Sequence, residues 1–143
     1  MKNTIIISSG CGKTTLSKKY KKLIDIDSLL TKSEKILLKK YLINYNFKKY
    51  IENEYKFINK RIKNLDDDLI LLLNHTIQAK KYNLKIIGNF KLSRNKLEKI
   101  LNNRKKDGDF FHHDITLINW HLNNNSTIFN NFSEIVELIK KYI

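Results

Sequence analysis

Thr4-Ile5-Ile6-Ile7-Ser8-Ser9-Gly10-Cys11-Gly12-Lys13-Thr14-Thr15-Leu16 decides the reading of this chain. An apolar, β-branched run feeds a glycine-containing turn, and Lys-Thr-Thr then opens an amphipathic segment. A continuous apolar run of this kind suits the centre of a parallel sheet, where both faces are covered. Strand, turn and helix in that order leave backbone N–H groups and the positive helix end converging on a concave anion site.

The residue types at the turn narrow the anion. Lys13 is placed to reach the β- and γ-phosphates of a nucleotide, and the Thr14 hydroxyl to take a coordination position on Mg²⁺. Ser9, Gly10, Cys11, Gly12, Lys13, Thr14 and Thr15 are therefore the candidate contacts to ATP. The full pattern is G-x-x-x-x-G-K-[ST]; Gly12-Lys13-Thr14 fit it, but its first glycine falls on Ile7. A side chain there predicts a tighter or shifted first turn of the loop.

Working outward, 143 residues suit a single domain spanning 1–143, small for a nucleotide-binding enzyme. Seven Phe and seven Tyr within a 41% hydrophobic chain argue against disorder. No apolar run approaches the ~18 residues that span a bilayer, so no membrane partner is expected. The absence of a signal-peptide pattern at the start, and a single cysteine, Cys11, fit a cytoplasmic protein. Net charge is +14, which favours anionic ligands and admits nucleic acid as a partner. The basic residues divide into 25 Lys and 3 Arg, however, and dedicated phosphate-gripping surfaces draw on Arg. Nucleic acid is therefore the second choice.

The pattern along the chain predicts a strand over 3–7, a helix from Lys13 to Lys22, and a second strand, Leu23-Ile24-Asp25-Ile26-Asp27, parallel to the first. Alternation would place Asp25 and Asp27 on one face of that strand, at its carboxyl end beside the phosphate site. The competing role for these acids is to end the strand and cap the next turn. A helical block follows, with helices from Ser33 to Ile43 and from Phe47 to Leu65. A third helix, capped by Asp66-Asp67-Asp68 and running to Tyr82, would bury Leu69, Leu72, Leu73 and Ile77. A third strand is expected at Lys85–Phe90, a helix from Ser93 to Arg104, and a turn-rich break to Asp109. A weakly patterned helix over Asp114–Leu122, a strand Thr127-Ile128-Phe129 and a helix from Ser133 complete the chain.

The combination G-x-G-K-T-T with an apolar D-x-D about ten residues on resembles the small P-loop kinases, the shikimate and gluconate kinase group and the nucleoside monophosphate kinases. The similarity covers about 28 amino-terminal residues and a carboxy-terminal segment, Thr127-Ile128-Phe129-Asn130-Asn131 with Ser133-Glu134, which is similar to the family's last strand and the loop that touches adenine. The resemblance implies an α/β fold of three layers, α/β/α, with a small parallel sheet of four or five strands. It also implies a helical acceptor-binding insertion over about 28–83, between strands two and three, and a lid over about 104–114. By the same resemblance Gly10, Gly12, Lys13 and Thr14 hold phosphates, Thr14 and Asp25 hold Mg²⁺, and Asp25 and Asp27 serve the metal and the acceptor hydroxyl. Arg94 resembles the arginine that grips the acceptor, Arg61 lies in the acceptor-binding block, and Arg104 suits a lid residue that follows the migrating phosphoryl group. Each of the three arginines also has a solvated-surface reading.

The chain departs from the family at the third strand, Ile87-Gly88-Asn89-Phe90, which lacks an acid, so the metal rests on Thr14 and Asp25. His112-His113-Asp114 with His121 match no standard metal spacing and suit a turn or lid. Trp120 reads as core packing, with stacking on a base as the other reading. The expectation is an ATP- and Mg²⁺-dependent kinase acting on a small anionic acceptor, a nucleotide or nucleoside first. The alternatives are a nucleic-acid-end kinase, a nucleic-acid-binding ATPase, and a non-catalytic nucleotide-binding protein.

Overall fold

The computed structural model describes residues 1–8, 10 and 12–143. In chain order they form β1 (Asn3–Ile7), α1 (Lys13–Lys19), β2 (Leu23–Asp25), a 3₁₀ turn (Ile26–Leu29), α2 (Lys32–Ile43) and α3 (Phe47–Ile62). Then come β3 (Ile70–Leu73), α4 (Thr76–Lys81), β4 (Lys85–Leu92), α5 (Arg94–Lys106), α6 (Phe110–Leu122), β5 (Thr127–Phe129) and α7 (Phe132–Lys140). The five strands make one sheet in the order β2-β3-β1-β4-β5, and every pairing is parallel. The α/β class, the parallel sheet and its size are as the sequence predicts.

Alternation along β1 builds the layers. Ile5 and Ile7 face a cluster completed by Leu16 of α1 and by Ile135, Val136 and Ile139 of α7. Ile6 faces the other way, with Ile58 and Ile62 of α3 and Ala79 of α4. Helices thus cover both faces, which is why β3 is apolar at every position and β1 from Ile5 to Ile7. Among the described residues no helix is long and apolar enough to cross a membrane.

The largest correction is β3. The sequence predicts a helix from the Asp66–Asp68 cap through Tyr82, yet Ile70-Leu71-Leu72-Leu73 is a strand buried at all four positions, paired with β1 and β2. Asp67 does not cap a helix; it takes a 2.8 Å ion pair from Lys2. The helix that does form, α4, starts only at Thr76, and Ile77 is exposed rather than buried. The expected helical insertion over 28–83 therefore ends before β3, and only the 3₁₀ turn, α2 and α3 belong to it.

Several boundaries also move. β2 stops at Asp25, because the Asp25 side chain accepts the Asp27 N–H and turns the chain into the 3₁₀ turn. Asp27 is thus not on the strand. β4 runs on to Leu92, which places Asn89 within the strand opposite Ile6 rather than at its tip. At α2 the cap is Thr31, not Ser33, in a reciprocal pairing with Glu34.

Candidate functional site

In an all-parallel sheet the carboxyl ends of the strands share one edge, and ligands of such sheets bind there. That edge here carries the β1–α1 loop, Asp25 at the end of β2, and Asn74-His75 after β3. These residues line a cleft of ≈ 930 Å³ that is flanked by α3, α4 and α6 and open to solvent.

β1 continues through Ile7, whose side chain is fully buried in the core. The connection to α1 therefore begins only at Ser8, which accounts for the side chain where the motif has glycine. Ser8 is buried and accepts a 3.0 Å bond from the Asn123 amide, which also donates to the Phe90 carbonyl at 3.0 Å. Gly10 and Gly12 both have positive φ, 78° and 92°, a region L side chains rarely occupy. Gly12 is also crowded, whereas Gly10 has only ordinary contacts. A Cβ on Gly10 would meet Ile100, Arg104 and Thr116, and one on Gly12 would lie 3.1 Å from the Phe132 ring. Ser9 and Cys11 lie outside the described residues.

Lys13 opens α1 and is 7% exposed. Its charge reaches two groups on the cleft floor, opposing the burial that raises the Asp27 carboxyl and adding to the burial that lowers the His75 imidazole. Beside it the Thr14 hydroxyl donates to Asp25 Oδ2 at 3.0 Å. Asp25 is 5% exposed, and its Oδ1 accepts the Asp27 N–H at 3.2 Å. One buried carboxylate thus caps the 3₁₀ turn and holds the hydroxyl that follows Lys13. Thr15, by contrast, is exposed on α1 and does not line the cleft.

Asp27 lines the cleft where water still reaches it from the open side. The surrounding walls desolvate its carboxyl and push it above the ordinary aspartate range, against the pull of Lys13 and with further push from Asp25. Glu54 of α3 is raised chiefly by burial too, although it accepts a 2.6 Å bond from the Tyr50 hydroxyl. Burial, followed by the Glu54 charge, holds the Tyr50 phenol in its protonated form. His75 is pulled down to about 4 by burial first and then by Lys13 and Lys81, so it is neutral at physiological pH. Its Nδ1 is buried without a hydrogen-bond partner among the described residues.

Arg104 of α5 reaches the cleft over Gly10. It is held by α6, donating to the His112 carbonyl at 2.9 Å and to Thr116 Oγ1 at 2.6 Å. The expected lid over 104–114 is thus the end of one helix and the start of the next, joined by a turn at Gly108. The other two arginines are elsewhere. Arg61 ties α3 to α2 and to the 3₁₀ turn, through Glu34 and a 3.0 Å bond to the Leu29 carbonyl. Arg94 is 80% exposed and makes a surface pair with Glu98. Neither lines the cleft.

The histidines of α6 have local partners. His112 pairs with Asp109 and His113 with Asp114, and no metal-holding group of three or more such side chains exists among the described residues. Trp120 anchors α6 by donating to the Leu92 carbonyl at 2.8 Å, with Lys91 over its ring, and lies outside the cleft. Mg²⁺ keeps several waters and needs only one or two protein oxygens beside those of a phosphate ligand. Thr14 Oγ1 and Asp25 Oδ2, side by side at the cleft, fit that modest donor set.

Sequence reasoning found Lys13, Thr14, Asp25, Asp27 and Arg104, which the fold brings together. It missed Tyr50, Glu54, His75, Gln78 and Lys81. The first two sit on the expected face-forming helix, with no local motif to mark them. The last three follow the unrecognised β3. Comparison with family models, with curated proteins and with solved structures finds no match.

Proposed function

We propose that this chain is an ATP- and Mg²⁺-dependent kinase of the P-loop type, transferring the γ-phosphoryl group to a small acceptor. The observation that carries the reading is the Thr14–Asp25 hydrogen bond, made beside buried Lys13 on the floor of a large cleft. A hydroxyl and a carboxylate held together next to a lysine are the parts a metal–triphosphate complex requires. Because α1 has only seven residues, the positive charge for the phosphates rests on Lys13 and Arg104 rather than on a helix dipole. Mg²⁺, when bound, neutralises charge on the phosphates. Thr14 and Asp25 would hold it, Arg104 would face the transferred group over Gly10, and Asp27 would take the proton of an acceptor hydroxyl. The raised Asp27 carboxyl suits that role, since a base works best with a pKa closer to the working pH.

The test is an acceptor screen with γ-labelled ATP and Mg²⁺ on the wild type and on Lys13→Ala, with circular dichroism to confirm folding. Label transfer that disappears in the variant is expected. Equal transfer by both proteins would sink the assignment.

A basic groove gives the nucleic-acid reading some support. Tyr55, Lys56, Asn59, Lys60, Lys63 and Asn64 of α3 and its end line a second depression of ≈ 500 Å³. That reading requires affinity for single-stranded nucleic acid that falls steeply with salt.

A further inference from the structure

We propose that the acceptor is an uncharged, hydroxyl-bearing molecule with an apolar body, and not a nucleoside monophosphate or another anion; this rests on the phosphoryl-transfer reading above.

The cleft divides by charge. At the loop end, Lys13 and Arg104 flank the positive-φ glycines. At the α3 end Glu54 faces the space with the Tyr50 hydroxyl on it and Lys81 as the one cation among the described lining residues, while Asp27 lies between that end and Lys13, within reach of the charges of Lys13 and Lys35. His75 lies between the two ends and adds no charge, since Lys13 and Lys81 reinforce the burial that keeps it neutral. Neither Asp27 nor Glu54 makes an ion pair among the described residues. An anionic acceptor requires the opposite arrangement, with arginines on its phosphate or carboxylate. The two arginines that the sequence offers for that task, Arg61 and Arg94, are committed to Glu34 and Glu98 outside the cleft.

The shape and chemistry of the same end favour a neutral guest. Phe47 and Ile51 line it while each remains about half exposed, at 53% and 52%. Covering such side chains with a flat apolar body removes them from water. The Tyr50 hydroxyl is spent on Glu54 Oε2 at 2.6 Å. Glu54 Oε1 is then the oxygen available to a hydroxyl or amide N–H of the guest. In the transfer itself the acceptor oxygen forms its bond to the γ-phosphorus, and the bond from that phosphorus to the β–γ bridging oxygen breaks. ADP leaves with the electron pair, and the hydroxyl proton passes to Asp27. A phosphate dianion held beside Asp27 and Glu54 would meet repulsion at each step.

The experiment measures label transfer from ATP to a set of nucleosides, to their matched 5′-monophosphates and to simple aromatic alcohols. Displacement of a fluorescent ATP analogue from wild type and Lys13→Ala reports the donor site separately. At least one uncharged acceptor should exceed its matched anion by about tenfold or more in kcat/KM. Glu54→Gln should narrow that ratio several-fold, and Glu54→Lys should move it toward the monophosphates. Transfer favouring the monophosphates in the wild type, or transfer to neither set while the ATP analogue binds, overturns the inference and leaves the donor-site reading standing. Failure of the wild type to bind the analogue removes both.

Discussion

Gly12→Ala tests the loop most sharply, because two separable costs meet at one atom. Gly12 has φ 92°, and an added Cβ would lie 3.1 and 3.2 Å from two atoms of the Phe132 ring. Left-handed backbone costs an L-residue about 1–2 kcal/mol. The ring is partly exposed and yields at a further cost of about 1 kcal/mol. The sum, roughly 2–3 kcal/mol, corresponds to a fall in Tm of about 4–10 °C for a chain near this size. Gly108→Ala is the internal standard: its φ is 73° and nothing lies within 4 Å of the added Cβ, so it reports the backbone cost alone. Thermal unfolding of both variants, and of Gly12→Ala combined with Phe132→Ala, separates the terms. The double variant should lose the ring's contribution and keep the backbone's, measured against Phe132→Ala. At a temperature where all variants are folded, Gly12→Ala should lose at least tenfold in affinity for an ATP analogue, about 1.4 kcal/mol, while Gly108→Ala binds normally. If Gly12→Ala is no less stable than Gly108→Ala and binds the analogue as the wild type does, the account of this loop is refuted.

Three other outcomes are expected. Asp25→Asn keeps the shape of the side chain but removes the charge opposite Thr14; Mg²⁺-dependent turnover should fall about a hundredfold while ATP-analogue binding without metal changes little, and an unchanged rate would reduce Asp25 to a turn cap. Arg104→Lys preserves charge but not the two bonds from Nη1 to His112 and Thr116; kcat should drop about tenfold or more, and Arg104→Ala about 10²–10³-fold, with KM for ATP moving less, whereas a pure KM effect would place Arg104 in binding only. His75 is neutral in the fold down to about 4 and protonates in the unfolded chain from 6.5 downward. Its contribution to stability is therefore lost as pH falls through that window, up to about 2–3 kcal/mol. Asp27 and Glu54, raised in the fold, work in the opposite direction, so the measurement is a difference: the stability of His75→Asn relative to wild type should grow between about pH 7 and about pH 4. A pH-independent difference in urea midpoints would contradict the buried neutral imidazole.

What the sequence exposes and what it hides follow from how each feature is encoded. The β1 run, the glycine turn and Lys13-Thr14 are contiguous, so one window of sequence carries both the fold signal and the chemistry. β3 is hidden because Leu69 to Leu73 is an unbroken apolar run. Periodicity cannot tell a strand buried on both faces from a buried helix segment, and leucine favours the helix reading. Only the free ladder positions of β1 and β2 decide it, and these are long-range. Asp66-Asp67-Asp68 favours the helix as well, since a helix cap and a partner for Lys2 look alike in one dimension. Asp27 shows the reverse case. Alternation puts it on the strand with Asp25, but a side-chain-to-backbone bond ends the strand first, and the residue still reaches the cleft.

The remaining site residues become intelligible only through the parallel topology. Once every strand points the same way, the segments after β1, β2 and β3 must emerge along one edge, and Lys13, Asp25 and His75 meet there despite their separation in sequence. Packing α3 over the β2–β3 side then brings Tyr50 and Glu54 to the same space. Desolvation by the cleft walls raises both the Asp27 and the Glu54 carboxyls, a cost that apolar or amide side chains at these positions would not carry. Two acids with raised carboxyls, a lysine and a carboxylate-bound hydroxyl lining one cleft are the grouping on which the proposed phosphoryl transfer rests. On the proposed reading, Lys13 and Arg104 at the glycine loop mark the donor end and Glu54 on α3 the acceptor end, with Asp27 between them within reach of the Lys13 charge.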